Sequence, residues 1–182
     1  MTVPVFTLPA GVGVWPLATH VDDRGAFTEL FRDEWGTGVA PVQWNVVSSE
    51  SGVLRGVHCH PVHADALVVV NGTMRLGLAD LRPEALTAGL ACVVELTGES
   101  MELVTIPPGV AHGFSFPAPS IHIYAVDRVW DPADELGCRW DDPGLGIEWA
   151  HASSPRISER DERLGTLEEL RAALALRRRG GV

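Results

Sequence analysis

The chain is divided into short apolar or alternating runs, each ended by residues that favour turns. Such runs occupy residues 41–47, 66–70, 74–78, 90–96, 102–106 and 121–129. Glycine, proline, aspartate and asparagine separate them, as in Asn71-Gly72 and Pro107-Pro108-Gly109. Many short strands joined by tight turns are typical of a β-sandwich or barrel. The pattern therefore predicts an all-β fold.

One segment near the C-terminus has helical periodicity instead. Thr166 and Glu169 have the spacing of a capping box. Leu167, Leu170 and Leu174 follow at the spacing of one helix face. We expect a C-terminal helix that lies on the barrel. No linker or repeat interrupts the chain, so we expect a single domain at 1–182, with the barrel at about 22–150 and the C-terminal segment and helix at about 151–182.

Composition and charge exclude several classes of protein. The net charge of −10 argues against a nucleic-acid partner, because phosphates require a basic surface. No apolar run approaches the roughly 18 residues of a membrane span, and the first residues do not resemble a signal peptide. Three irregularly spaced cysteines argue against a disulfide framework. We therefore expect a cytoplasmic protein. The absence of lysine excludes a Schiff-base mechanism through that residue.

The most informative stretch carries clustered histidines. His58 and His60 are two residues apart, so on a strand their side chains share a face. Asp65 follows five residues later, and His112 comes after a Pro-Pro-Gly turn. This spacing resembles the two signature motifs of the cupins, which implies a double-stranded β-helix (jelly-roll) barrel. Three histidines and a carboxylate also suit iron, manganese, nickel or zinc, so His58, His60, Asp65 and His112 are a candidate metal set.

Longer segments are similar to the dTDP-4-dehydrorhamnose 3,5-epimerase family. The similar segments, in chain order, are D-x-R-G-x-F-x-E at 22–29, V-Q-x-N at 42–45, G-x-L-R-G-x-H at 52–58 and P-P-G-V-A-H-G-F at 107–114. The resemblance continues in register to Asp161 and covers most of the chain. It implies an isomerase that acts on a nucleotide-linked 4-keto-6-deoxy sugar and requires no cofactor.

The resemblance also implies catalytic roles for three residues. His58 is the base that removes the proton alpha to the 4-keto group. Asp161 binds His58 and holds its orientation, and Tyr124 returns a proton from the opposite face. Such a division of labour suits epimerisation, which needs an acid and a base on opposite sides of a planar enolate.

Substrate-binding roles follow from the same resemblance. Arg24 and Arg55 bind the diphosphate, since a fork-shaped donor suits that anion. Phe27, Glu29 and Gln43 line the nucleobase pocket. The family further implies a homodimer, in which an N-terminal strand joins the partner's sheet and brings Arg24 and Glu29 to the partner's cavity.

Three further residues are substrate-binding candidates. His112 belongs to the second cupin motif. His122 lies two residues before Tyr124 and so shares its face of a strand. Trp130 stands where the family has the second tyrosine of a Y-x5-Y-x-P pair.

Two positions depart from the family inside the expected site. His60 replaces a glutamine, and Asp65 replaces a lysine that stabilises the enolate oxygen, where a carboxylate repels the developing charge. A divalent ion acting as Lewis acid could take the lysine's role. If that ion binds through His58, Asp161 orients His58 as a metal ligand. The proton transfers must then be made by Tyr124 or His122. The nearby His63 is a spare candidate ligand, but its position on a loop favours the interpretation as a solvated loop histidine.

Three hypotheses remain open at this point. The first is the nucleotide-sugar isomerase, with or without a metal. The second is a metal-dependent cupin enzyme that acts on a different small molecule. The two metal-binding residues His60 and Asp65, which replace the family's glutamine and lysine, would allow this. The third, a non-catalytic sugar-binding protein, is the weakest, because such a protein has no need of His58, Tyr124 and Asp161 together.

Overall fold

The computed structural model describes residues 8–149 and 154–180. In this part of the chain the strands are β1 (Gly13–Pro16), β2 (Thr19–Asp22), β3 (Gly25–Thr28), β4 (Gln43–Ser49), β5 (Leu54–Cys59), β6 (Asp65–Asn71), β7 (Thr73–Asp80), β8 (Ala91–Thr97), β9 (Glu102–Ile106), β10 (Val110–Ser115), β11 (Ser120–Val126) and β12 (Leu136–Gly137). The helices are α1 (Glu159–Glu162) and α2 (Leu167–Gly180), with short 3-10 turns at Asp33–Trp35, Pro132–Asp134 and Pro143–Leu145.

Two five-stranded antiparallel sheets form the barrel. The first has the order β1-β9-β6-β11-β4, and the second has the order β12-β5-β10-β7-β8. Side chains of both sheets meet in one buried cluster, in which Leu67 and Val104 of the first sheet pack with Leu76, Leu78 and Leu96 of the second. The sheets thus face each other as in the predicted jelly-roll barrel of the cupin type. Strands β2 and β3 form a separate hairpin.

Strand alternation determines which side chains enter the barrel. Along β4, Gln43, Asn45 and Val47 line an interior cavity, whereas Trp44 and Val46 are exposed. Successive side chains of a strand point to opposite faces. Gln43, Asn45 and Val47 are two residues apart from one another, so all three face the interior. The same rule places both His122 and Tyr124 of β11 on the cavity wall.

The C-terminal helix is confirmed and lies on the second sheet. The amide of Thr166 donates to Glu169 Oε2 at 2.7 Å, and the amide of Glu169 donates to Thr166 Oγ1 at 3.3 Å, which completes the capping box. The leucines of α2 at positions 167, 170 and 174 are buried in a cluster that includes Val57 of β5. None of the helices among residues 8–149 and 154–180 is long and apolar enough to cross a membrane.

The structure adds elements that the sequence patterns did not predict. The predicted strand at 102–106 coincides with β9. The predicted strand at 121–129 is shorter in the structure, because β11 ends at Val126. The first sheet begins at Gly13, before position 22, because β1 pairs with β9. Helix α1 was not predicted either, since four residues are too few to show a helical period.

Candidate active site

A cavity of about 250 Å³ opens between the two sheets. It brings together ten of the residues predicted for the site. These are Gln43, Arg55, His58, His60, Asp65, His112, His122, Tyr124, Trp130 and Asp161. The strands that carry most of them belong to both sheets, while His60 and Trp130 lie in loops and Asp161 lies in α1.

His58 and Asp161 form a hydrogen-bonded pair at one wall. His58 Nε2 lies 2.8 Å from Asp161 Oδ1, and the amide of Gly56 donates to Asp161 Oδ2 at 3.2 Å. Burial raises the pKa of Asp161, but the hydrogen bonds from His58, Gly56 and Ser158 more than offset this, so the pKa is held below its usual value. An ionised carboxylate only accepts, so in the neutral imidazole of His58 the proton is on Nε2 and the lone pair is on Nδ1.

Local backbone geometry makes this pairing feasible. Gly56 has a φ angle of +106°, and a Cβ there would lie 2.9 Å from the carbonyl oxygen of His112. Only glycine therefore fits at this position of β5, where the backbone of β10 is close. Its amide is thereby free to bind Asp161. On the other side, Ser158 caps α1 and accepts a hydrogen bond from the amide of Asp161 at 3.1 Å.

Tyr124 lies on the sheet opposite to His58. It belongs to β11 in the first sheet, whereas His58 belongs to β5 in the second. Burial and the nearby carboxylates of Glu135 and Asp65 raise the pKa of Tyr124. Its phenol is therefore protonated at neutral pH and can donate. Burial and the charge of Arg55 lower the pKa of the neighbouring His122 to about 4, so that imidazole is neutral.

Polar groups at the cavity wall are positioned by neighbouring residues. Arg55 Nε donates to Ser49 Oγ at 3.0 Å. Gln43 Nε2 donates to Asn45 Oδ1 at 3.1 Å, and the amide of Trp130 donates to Gln43 Oε1 at 3.0 Å. The buried Asn45 Nδ2 has no hydrogen-bond partner among residues 8–149 and 154–180. Asn45 was not predicted as a site residue, although its two-residue spacing from Gln43 was the available signal.

A second cluster surrounds Asp65, at the start of β6. Asp65 Oδ2 lies 3.8 Å from both His60 Nε2 and His112 Nε2. Burial lowers the pKa of His60 to about 2 and that of His112 to about 3, each helped by the other imidazoles nearby. Burial, followed by the charge of Glu135, raises the pKa of Asp65. His60, Asp65 and His112 could hold one metal ion.

The interpretation of His63 as a solvated loop histidine is wrong. Only 4% of its side chain is exposed, and its Nδ1 lies 2.5 Å from Asp134 Oδ2. Its ring stacks on that of His60 with centroids 4.0 Å apart. The 3-10 turn at Pro132–Asp134 supplies this carboxylate from a distant part of the chain.

Three predicted substrate-binding residues lie outside the cavity of their own chain. Arg24, Phe27 and Glu29 belong to the β2–β3 hairpin or follow it directly. Arg24 pairs with Asp22 at 2.5 Å and Glu29 pairs with Arg32, while Phe27 is 63% exposed. Within one chain, the hairpin therefore contributes nothing to the cavity wall.

The barrel and its site define a class of protein. In this cupin-type barrel, titratable side chains from both sheets line one cavity. The model of the family "dTDP-4-dehydrorhamnose 3,5-epimerase" matches residues 8–169, and the chain belongs to this family. It is an epimerase, and so an isomerase.

Individual relatives agree with this assignment. The chain is 33% identical over 158 residues to the dTDP-4-dehydrorhamnose 3,5-epimerase of Escherichia coli K12, covering 82% of this chain and 85% of that one. The epimerase RmlC of Legionella pneumophila, solved with dTDP-4-keto-L-rhamnose, is similar with TM-score 0.84 and 28% identity over 92% of this chain and 94% of that chain. ChmJ, a 3'-monoepimerase of Streptomyces bikiniensis solved with dTDP-quinovose, has TM-score 0.79 and 29% identity over 95% and 88%.

The lowered pKa of Asp161 predicts how its contribution to stability depends on pH. A carboxyl with a depressed folded-state pKa stabilises the fold above its unfolded pKa of about 3.9, and loses this effect as the pH falls through the folded pKa. Asp161→Asn should therefore lower the free energy of unfolding at neutral pH. The gap to the wild type should shrink below a pH of about 4.

Urea unfolding across this pH range measures the gap. Glu162→Gln is the control, because it changes an exposed carboxylate of the same helix and should give a much smaller difference. A gap for Asp161→Asn that stays constant from neutral to acidic pH would contradict the account.

Proposed function

We propose that the protein epimerises a dTDP-linked 4-keto-6-deoxy sugar by removing and returning a proton alpha to the keto group. The observation that carries the proposal is the position of the His58–Asp161 pair on one sheet and Tyr124 on the other. The ligands of the Legionella and Streptomyces relatives support the substrate class. The first of these is named as a 3,5-epimerase and the second as a 3'-monoepimerase, so C3 is the position that both names share.

The chemistry assigns one atom to each step. His58 Nδ1 takes the proton from the carbon beside the keto group, and the electrons of the broken C–H bond pass to the C4 oxygen, which forms an enolate. Asp161 stabilises the resulting imidazolium through Nε2. The Tyr124 hydroxyl then gives its proton to the opposite face of that carbon, and the carbonyl forms again. The substrate is inverted with its composition unchanged. His58 is left protonated and Tyr124 ionised, and both exchange protons with water before the next turnover.

The polar wall of the cavity would bind the rest of the substrate. Arg55, held by Ser49, is placed to bind an anionic diphosphate. Gln43 and Trp130, already joined by a hydrogen bond, would contact the nucleotide. The neutral imidazoles of His112 and His122 would complete the pocket around the sugar.

We further propose that the protein works as a cytoplasmic homodimer of single-domain chains. The β2–β3 hairpin makes no contact with the cavity of its own chain, yet carries Arg24, Phe27 and Glu29. Strand β4 is the edge of its sheet and exposes Trp44 and Val46, which an added partner strand would cover. Arg24 and Glu29 would then reach the partner's cavity.

A second candidate function is favoured by one observation. The buried donors His60, Asp65 and His112 lie close enough to share one ion. A divalent cation such as iron, manganese, nickel or zinc at this site would suit a metal-dependent cupin enzyme that acts on a different small molecule. The retained His58, Asp161 and Tyr124 favour the epimerase, because a metal-dependent reaction on a different small molecule would give these three residues no role.

Exchange of the substrate's C3 proton with solvent deuterium tests the epimerase directly. Proton removal is the first step, so exchange is visible even when the product equilibrium is unfavourable. His58→Ala should lower the exchange rate about 10² to 10⁴-fold, the usual cost of losing a general base. Tyr124→Phe should keep exchange and lose inverted product, because only the second proton transfer is removed. NMR of a dTDP-4-keto-6-deoxyhexose in deuterium oxide reports both results.

Two outcomes of the exchange experiment would contradict the proposal. If the wild type exchanges no C3 proton, with or without added divalent ions, the epimerase is wrong and the metal-dependent candidate takes its place. If His58→Ala exchanges as fast as the wild type, the base has been assigned to the wrong residue.

Mixed dimers test whether the hairpin serves the partner's site. Arg24→Ala and His58→Ala should each lower the epimerase activity strongly when made alone. In a heterodimer of the two variants, one site combines the intact His58 of one chain with the intact Arg24 of the other. Co-folding the variants should therefore restore part of the activity. Activity that stays absent in a verified heterodimer would show that Arg24 serves its own chain's site or none.

A further inference from the structure

The carboxylate of Asp65 is approached by three imidazoles through the same ring atom. Nε2 of His60 and Nε2 of His112 each lie 3.8 Å from Asp65 Oδ2. Nε2 of His63 lies 3.9 Å from Asp65 Oδ1. These separations exceed hydrogen-bond length, so three imidazole nitrogens lie around the carboxylate of Asp65 without bonding to it.

The other ring nitrogen of each imidazole faces an oxygen. His112 Nδ1 lies 3.2 Å from the carbonyl oxygen of Val110, and His63 Nδ1 lies 2.5 Å from Asp134. Nδ1 of His60 lies 3.6 Å from Glu135 Oε1, beyond hydrogen-bond length. A proton held on Nδ1 leaves the lone pair of Nε2 available. In metal sites, a carboxylate or carbonyl oxygen that accepts a hydrogen bond from Nδ1 usually orients the imidazole so that Nε2 faces the metal.

The cluster lacks a positive charge of its own. All four side chains are less than a tenth exposed. The arginines of the cavity wall are engaged elsewhere, since Arg160 pairs with Glu135 at 2.6 Å and Arg55 binds Ser49. Three lone pairs and a carboxylate that converge in a buried space are costly unless a cation lies between them.

We propose that His60, His63, His112 and Asp65 bind one divalent transition-metal ion, and that His58 is not among its ligands. This differs from the set expected from the cupin motif, in which His58 is a ligand and His63 is not. Nε2 of His58 is already bound to Asp161, whereas Nε2 of His63 faces Asp65. Metal bonds of about 2.0 to 2.2 Å place neighbouring ligand atoms about 3.0 to 3.5 Å apart. Donor atoms of His60, Asp65 and His112 already lie within 4.8 Å of one another, whereas the ring of His63 is stacked on that of His60 and must turn to bring Nε2 to the ion. His63 faces the other carboxylate oxygen and would move furthest.

The role of this ion rests on the proposed function. A cation beside Asp65 would stand where the family's lysine stabilises the enolate, and it would attract the negative charge that develops on the C4 oxygen. Because His58 is not a ligand, its Nδ1 stays available as the base. The ion and the base can therefore act in the same turnover, which a shared His58 would prevent.

Metal titration of protein purified without an affinity tag tests the ligand set. Chelator-treated wild type should bind one equivalent of Co²⁺, with visible absorption bands, and Zn²⁺ should displace it. His63→Gln should weaken Co²⁺ binding by more than about tenfold, since even changes behind the ligands cost 10- to 100-fold. His58→Gln is the matched control and should leave stoichiometry and affinity unchanged.

Asp65→Asn, which nearly preserves volume, guards against a folding artefact of the histidine change and should also weaken binding by more than about tenfold. Circular dichroism of each metal-free variant verifies its fold. Loss of Co²⁺ in His58→Gln with retention in His63→Gln would overturn the proposal in favour of the motif-based set. The absence of saturable binding in the wild type would overturn it entirely. No substrate is present, so these results are independent of whether the protein epimerises a sugar.

Discussion

The hydrogen bond between His58 and Asp161 joins parts of the chain that are 103 residues apart, and the site depends on it. Its geometry requires the C-terminal segment to lie along β5. Backbone bonds hold the segment there, since the amide of Leu54 donates to the Arg156 carbonyl at 3.0 Å. The leucine face of α2 packs on the same sheet. The helix therefore supports the sheet that carries His58, although none of the described side chains of α2 lines the cavity.

Burial divides the cavity into two electrostatic regions. Near His58, the ionised Asp161 is supported by hydrogen bonds and can stabilise an imidazolium. Around Asp65, neutral imidazoles and a carboxyl with a raised pKa face one another without hydrogen bonds. The first region is suited to hold a proton, and the second is suited to hold a metal cation. Tyr124 lies on β11, beside the strand β6 that carries Asp65 and on the sheet opposite to His58. Burial, helped by the charges of Glu135 and Asp65, raises the pKa of its phenol.

Much of the fold was predictable because strand alternation and turn residues are local signals. The interior positions of β4 and β11 and the face of α2 follow directly from periods of two and 3.6 residues. The site residues that escaped prediction depend on distant contacts. His63 is buried by Asp134, 71 residues away, and no local pattern reveals this. The four-residue α1 has no measurable period, and the hairpin residues need a partner that one chain does not show.

The central claim is that Asp161 fixes the tautomer of His58 and leaves Nδ1 free as the base. Nitrogen-15 NMR of the imidazoles measures this directly, with His58→Gln identifying the signal. At neutral pH the account predicts that His58 carries its proton on Nε2 and that Asp161→Asn abolishes this preference. A wild-type His58 protonated on Nδ1, with its lone pair on Nε2, would contradict the account.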